Sequence, residues 1–194
     1  GSIYDFIAEA RNVNLDSLNI ETGTSVSQVS FSSYAKFANE DEFVNGEIEI
    51  NDVRYTAGND IYNVGDIIVK SLFSSDIYTL TLNAPFAKVE YSGPAPVNHF
   101  IKKLKDMTLV SKLDNYFARD TSVRYTNGLY NFNLYTYNMM DICQIFDKDL
   151  YIENNSRLNL TVDRNDVLKG VLKSGRFALG KNYIKDFTLD IGSD

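Results

Sequence analysis

Residues 61–91 carry the strongest alternation in the chain. Tyr78, Leu80 and Leu82 alternate with Thr79, Thr81 and Asn83, a period of two that sends successive side chains to opposite faces of a strand. The polar break Ser74-Ser75-Asp76 separates this run from the apolar Ile67-Ile68-Val69 before it. Together they predict an antiparallel hairpin with one aliphatic and aromatic face and one face of Thr, Asn and Lys.

Much of the chain repeats this design. In residues 3–10, Ile3, Phe6, Ile7 and Ala10 fit a first strand or a single helical turn. Val13 and Leu15 share a phase that Leu18 and Ile20 lose, which predicts a bulge near Asp16-Ser17. Val29, Phe31, Ala35 and Phe37 alternate, residues 39–42 read as an acidic turn, and Asn45-Gly46 reads as a tight reversal. Ile48 and Ile50 form an amphipathic strand with Glu47 and Glu49. Val53 and Tyr55 continue it past a phase shift at Asn51-Asp52, and Gly58-Asn59-Asp60 turns the chain. Ser92-Gly93-Pro94-Ala95-Pro96 is the strongest break and the predicted segment boundary.

Beyond it the period changes. Phe100, Ile101, Leu104 and Leu109 fall at steps of three and four within residues 97–118, with Lys102, Lys103 and Lys105 opposite, predicting an amphipathic helix or two short ones. Asn127-Gly128 reads as a hairpin turn between Arg124-Tyr125 and Leu129-Tyr130. Tyr130, Phe132 and Leu134 alternate, as do Leu158, Leu160 and Val162; between them residues 139–146 predict a short helix with Asp141 in its first turn. Residues 163–166 turn, residues 167–173 form a strand, and Ser174-Gly175 reverses the chain before Phe177-Leu179 and Phe187-Leu189-Ile191. The expected fold is mainly β: an elongated antiparallel sheet with two short helical insertions. Its expected divisions are residues 1–2 (Gly-Ser, read as a cloning scar on a fragment of a longer protein), a first β segment 3–93, a linker and amphipathic helix 94–120, and a second β segment 121–194 with a short helix near 139–147.

Three stretches echo one another, at residues 12–20, 63–69 and 182–191: an Asn, one or more apolar residues, an Asp, then alternating apolar residues. Their spacing is irregular, so the echo suggests one strand-level device used repeatedly rather than a solenoid.

Composition adds weight to β structure. With 13 Tyr, 12 Phe and only 3 Pro, the chain is rich in side chains that suit a pleated, half-buried surface. A net charge of −7 argues against nucleic acid and against electrostatic docking on an anionic membrane, both of which need a basic surface. The single Cys143 cannot form an intrachain disulfide, and its neighbours Ile142 and Ile145 mark it as a buried, inert thiol. His99 is the only histidine, and there is no phosphate loop or paired-Cys metal motif. Asp163, Asn165 and Asp166 lack the Gly and distal Glu of a calcium loop and read as a polar turn. No metal, cofactor or catalytic residue is assigned, and an enzyme is not expected.

Residues 60–69 (Asp-Ile-Tyr-Asn-Val-Gly-Asp-Ile-Ile-Val) and the runs Tyr78-Thr-Leu-Thr-Leu-Asn-Ala-Pro-Phe-Ala87 and Val89-Glu-Tyr-Ser-Gly93 resemble the TamB-type translocation and assembly module family in its Bacteroidetes form. Phe132-Asn-Leu134, the helix near Met140, Leu158-Asn-Leu160 and the closing Ile184-Lys-Asp-Phe-Thr-Leu-Asp-Ile191 are similar to the same proteins' repeating units. The resemblance implies an AsmA-like bridge protein of the cell envelope, anchored in the inner membrane by a segment outside this chain and spanning the periplasm. It implies a half-open, taco-like β groove whose apolar interior carries phospholipid towards the outer membrane, with a further role in outer-membrane assembly. The expected lining is Ile48, Ile50, Tyr78, Leu80, Leu82, Tyr130, Phe132, Leu134, Leu158, Leu160 and Val162, and the expected partners are phospholipid acyl chains and an outer-membrane assembly protein. The alternative expectation is a non-enzymatic interaction module with a closed core that binds a protein through its edge strands.

Overall fold

The computed structural model describes residues 2–15, 27–40, 43–105, 107, 126–146 and 149–192. They form one open antiparallel sheet of 11 strands with short helices set against it, as the alternation predicts. Strands β1 (Ser2–Asn14), β2 (Ser27–Glu40), β3 (Phe43–Ala57), β4 (Asp60–Ser74), β5 (Ile77–Asn83) and β6 (Ala87–Gly93) pair in sequence order. Helix α1 (Val97–Lys105) follows, then β7 (Tyr130–Thr136), helix α2 (Met140–Phe146), β8 (Leu150–Ile152), β9 (Arg157–Val162), β10 (Leu168–Leu179) and β11 (Asn182–Gly192). β7 pairs with β6 on one side and β9 on the other, β10 joins β9 to β11, and short β8 adds to the end of β10.

The break at residues 92–96 therefore does not divide the sheet: the two β segments meet in the β6–β7 pair. It instead launches α1, whose first turn is closed by the Pro96 carbonyl accepting from the His99 and Phe100 amides. The central hairpin forms as read. Ser75 and Asp76 take φ of 52° and 61°, the left-handed pair that matches strand twist in a two-residue turn.

Other turn signals are overridden. Asn45-Gly46 lies inside β3, not at a reversal: a Cβ on Gly46 would sit 2.5 Å from the Phe37 backbone, so glycine is there for close approach. Ser174-Gly175 lies inside β10. Ser174 is held there by a 2.6 Å hydroxyl contact with Ser156, and the chain reverses later at Gly180, with φ +59°. Asn127-Gly128 closes no hairpin on β7, because both sides of β7 are already paired; Arg124-Tyr125 lie outside the described residues. Residues 16–20 and 108–118 also lie outside the described residues, so the bulge read near Asp16-Ser17 and the end of the 97–118 helix have no counterpart to compare.

The phase shift at Asn51-Asp52 is a β-bulge, with Asp52 at φ 55° and its amide donating to Asp66 Oδ1 at 2.8 Å. A bulge interrupts β1 between Ala10 and Val13, with Asn12 at φ 49°. Gly65 at φ +81° and Asp186 at φ 47° show the same conformation in the other two echoing stretches. Each echoing stretch thus contains an Asn, Asp or Gly in left-handed backbone, at a different place in the pattern each time. In β1 and β3 such a residue returns the apolar residues after the slip to the face they occupied before it.

Candidate functional site

Paired residues in a sheet share a face, so register decides what the apolar side chains build. Ile48 lies opposite Val69, Val69 opposite Leu82, Leu82 opposite Val89, and Val89 opposite Leu134. Leu134 lies opposite Leu158, Leu158 opposite Leu172, and Leu172 opposite Leu189. In the other direction Ile48 faces Ala35, which faces Phe6 on β1. A row of apolar side chains thus crosses the sheet from β1 to β11 without a polar member. At ~4.8 Å per strand step it is about 43 Å long, more than the ~30 Å hydrocarbon core of a bilayer.

A second row runs beside it through Leu80, Tyr91, Phe132, Leu160 and Ile191, with Gly170 and Ser71 as its small members. Tyr130 pairs with Val162, Tyr78 pairs with Phe73, and Ile50 pairs with Ile67 on the same face. All the residues expected to line a groove therefore share one face. Phe6, Val69, Val89, Leu172 and Leu189 belong with them and were missed. Val89 alternates visibly with Lys88 and Glu90, but Val69 ends the run Ile67-Ile68-Val69 and Leu172 follows Val171, so alternation gives neither a phase.

The helices close part of this face. Phe100, 1% exposed, packs its ring 5.5 Å from Tyr91, 5.7 Å from Tyr130 and 6.1 Å from Phe132. Under it Tyr78, Tyr130 and Val162 are buried, so these three expected lining residues are core beneath α1. The Tyr91 and Tyr130 hydroxyls donate to the carbonyls of Ala95 and Thr126, tying down the chain on either side of α1. Burial, then the neighbouring Tyr130 and Tyr78, pushes the Tyr91 hydroxyl well above its ordinary value. At the opposite border Ile145 of α2 packs on Tyr55, Ala57 and Tyr62.

Between the helices the lining stays partly open. Ile50, Leu80, Leu82, Phe132, Leu134, Leu158 and Leu160 are half-buried, and Ile48 and Phe6 are exposed. The apolar face is thus capped along its two borders and accessible between them.

The chain matches no protein-family model, no curated protein and no solved structure.

Lys103 departs from the helical reading. It is 2% exposed rather than on the polar side, and its Nζ reaches Asp166 Oδ1 at 2.5 Å across the β9–β10 turn. It also lies 5.1 Å from the centre of the Tyr130 ring, so it latches α1 to the sheet by charge and by cation–π contact. Asp163 shapes that turn: its Oδ1 accepts from the Asn165 and Val167 amides at 2.8 and 2.9 Å, which hold its carboxyl below the ordinary range. Cys143 is buried, and desolvation pushes its thiol up, away from the reactive thiolate.

Among the described residues no three His, Cys, Asp or Glu side chains gather to hold a metal, and no helix is long and apolar enough to cross a membrane. The opposite face of the sheet is polar in its centre, with Asn131, Asn133, Asn159 and Thr161 bonded across strands. A cavity of about 710 Å³ opens on that polar face, over β1 to β5.

Proposed function

We propose that this chain is a segment of a TamB-type, periplasm-spanning bridge, and that its apolar sheet face carries phospholipid acyl chains towards the outer membrane. The unbroken row from Phe6 to Leu189 supports the reading. It runs across the strands, along the axis on which a long sheet extends, so a chain lying on it passes from strand to strand over carbon alone. An acyl chain gains ~0.8 kcal/mol per buried methylene, so about ten methylenes contribute about 8 kcal/mol before ordering costs. This interaction needs no head-group pocket and favours sliding over tight binding.

The test is site-specific photo-crosslinking in lipid-containing membranes. A photoreactive residue at Leu82 or Leu134 is expected to capture phospholipid, whereas one at Asn133, on the opposite face, is not. Absence of lipid adducts at Leu82 and Leu134 would sink the reading.

A second reading rests on a separate observation. β1 lies at the end of the strand order and exposes Ile3 by 73% and Ile7 by 80%. An apolar edge left unpaired among the described residues is a template for strand addition, which suits recruitment of an outer-membrane assembly protein. Ile7→Lys is expected to abolish such recruitment while leaving lipid capture at Leu82 intact. Partner binding unaffected by Ile7→Lys would rule this edge out.

A further inference from the structure

The polar face carries one feature that lipid conduction on the other face does not use. Rows of side chains there meet the 710 Å³ cavity, a size within the ~300–1,000 Å³ of small-ligand sites. One row is charged: Lys36 lies opposite Glu47, and Glu47 opposite Lys70, whose Nζ is 2.6 Å from Glu47 Oε1. The adjoining row mixes apolar side chains with polar ones, Asn45 lying opposite Ala38. Ile3 pairs with Ala38 on β1 and β2, and Leu72 pairs with Thr79 on β4 and β5. Ile3 is 73% exposed and Leu72 54% exposed, both towards the cavity.

We propose that this cavity binds an anionic, single-chain amphiphile with a carboxylate head. Its tail lies along Ile3, Ala38 and Leu72; its head meets Lys36. Lys36 makes no ion pair within 4 Å among the described residues, whereas Lys70 is already engaged by Glu47. The lining holds two lysines and one glutamate, with Asp5 beside Lys36 just outside it. The basin spans four strand steps, about 19 Å, which suits an extended chain better than a compact polar ligand.

Isothermal titration with laurate, dodecanol and dodecyltrimethylammonium, each below its micellar range, tests the proposal. Laurate is expected to bind tightest. Lys36→Glu is expected to weaken laurate by up to about 5-fold, from loss of one exposed ion pair, and to leave dodecanol unchanged. Leu72→Glu, or the milder Leu72→Ser where the first disturbs the circular dichroism of the sheet, is expected to weaken laurate and dodecanol together. Leu82→Asn, on the lipid-carrying face, is expected to leave the Lys36-dependent preference for laurate over dodecanol unchanged, which separates this site from that one. Equal affinity for all three amphiphiles, no binding at all, or loss of binding in Leu82→Asn but not in the Leu72 variants would overturn it.

Discussion

Phe100→Ala separates a helix that belongs to the core from one that merely sits on it. Helix α1 reaches the sheet through few side chains, of which Phe100 and Lys103 are buried. Truncating a buried Phe to Ala costs about 3–5 kcal/mol. What remains is the half-buried packing of Val97 and Leu104 on the same cluster, the Lys103–Asp166 pair, screened because the Asp166 side chain is 56% exposed, and the Lys103–Tyr130 contact. The two Lys103 contacts contribute up to about 1 kcal/mol each. A helix of nine residues is marginal in water by itself, so this remainder does not hold α1 in place. The expected result is local: α1 amides lose hydrogen-exchange protection while those of β5, β6, β7 and β9 keep theirs. Removing the cover also exposes Tyr91, Tyr130 and Phe132, so lipid capture by a photoreactive residue at Leu160 is expected to rise. Global unfolding of Phe100→Ala, with protection lost across β4 to β9 together, would refute the picture of a cap on a self-supporting sheet.

Two further outcomes test the same region. Gly93→Ala places a Cβ 2.7 Å from both the Tyr130 ring and the Tyr91 hydroxyl, so overpacking is expected to cost about 1–3 kcal/mol; an unchanged urea midpoint would show that those rings move freely. Burial keeps the Tyr91 and Tyr130 hydroxyls protonated above their ordinary value of 10.0. The unfolded chain therefore releases those protons first, and their stabilisation, complete below pH 10, is lost as pH rises from there towards the folded values. Urea midpoints that hold level from about pH 9 to pH 11 would contradict that burial.

The sheet was legible because alternation is a local property. Tyr130-Asn131-Phe132-Asn133-Leu134 declares its two faces without any partner. The bulge at Asp52 was legible for the same reason, since a slip in period shows in one strand. Turn residues misled where tertiary pairing gave them another task. Gly46 accommodates the backbone of Phe37, and Ser174 bonds Ser156 inside a strand that continues past it. Neither use differs from a turn in local sequence. Lys103 was misplaced because helical period assigns a lysine to water, whereas Asp166, distant in sequence, offers it a partner at the sheet. The lining residues were recognisable one strand at a time. Their union into one row depends on register, and register here is set by the β3–β4 and β4–β5 turns together with bulges whose partners lie on other strands.

The strand order has a consequence for how the molecule is made and how it fails. Nearly every strand bonds to its immediate predecessor and successor, so the contacts that hold a given hairpin come from a short stretch of polypeptide. Such a molecule behaves as a one-dimensional array: order spreads from any nucleus to its neighbours, and melting eats inward from the termini. Evolution can lengthen or shorten it one hairpin at a time, because each addition asks only for a matching neighbour and leaves distant parts unaltered.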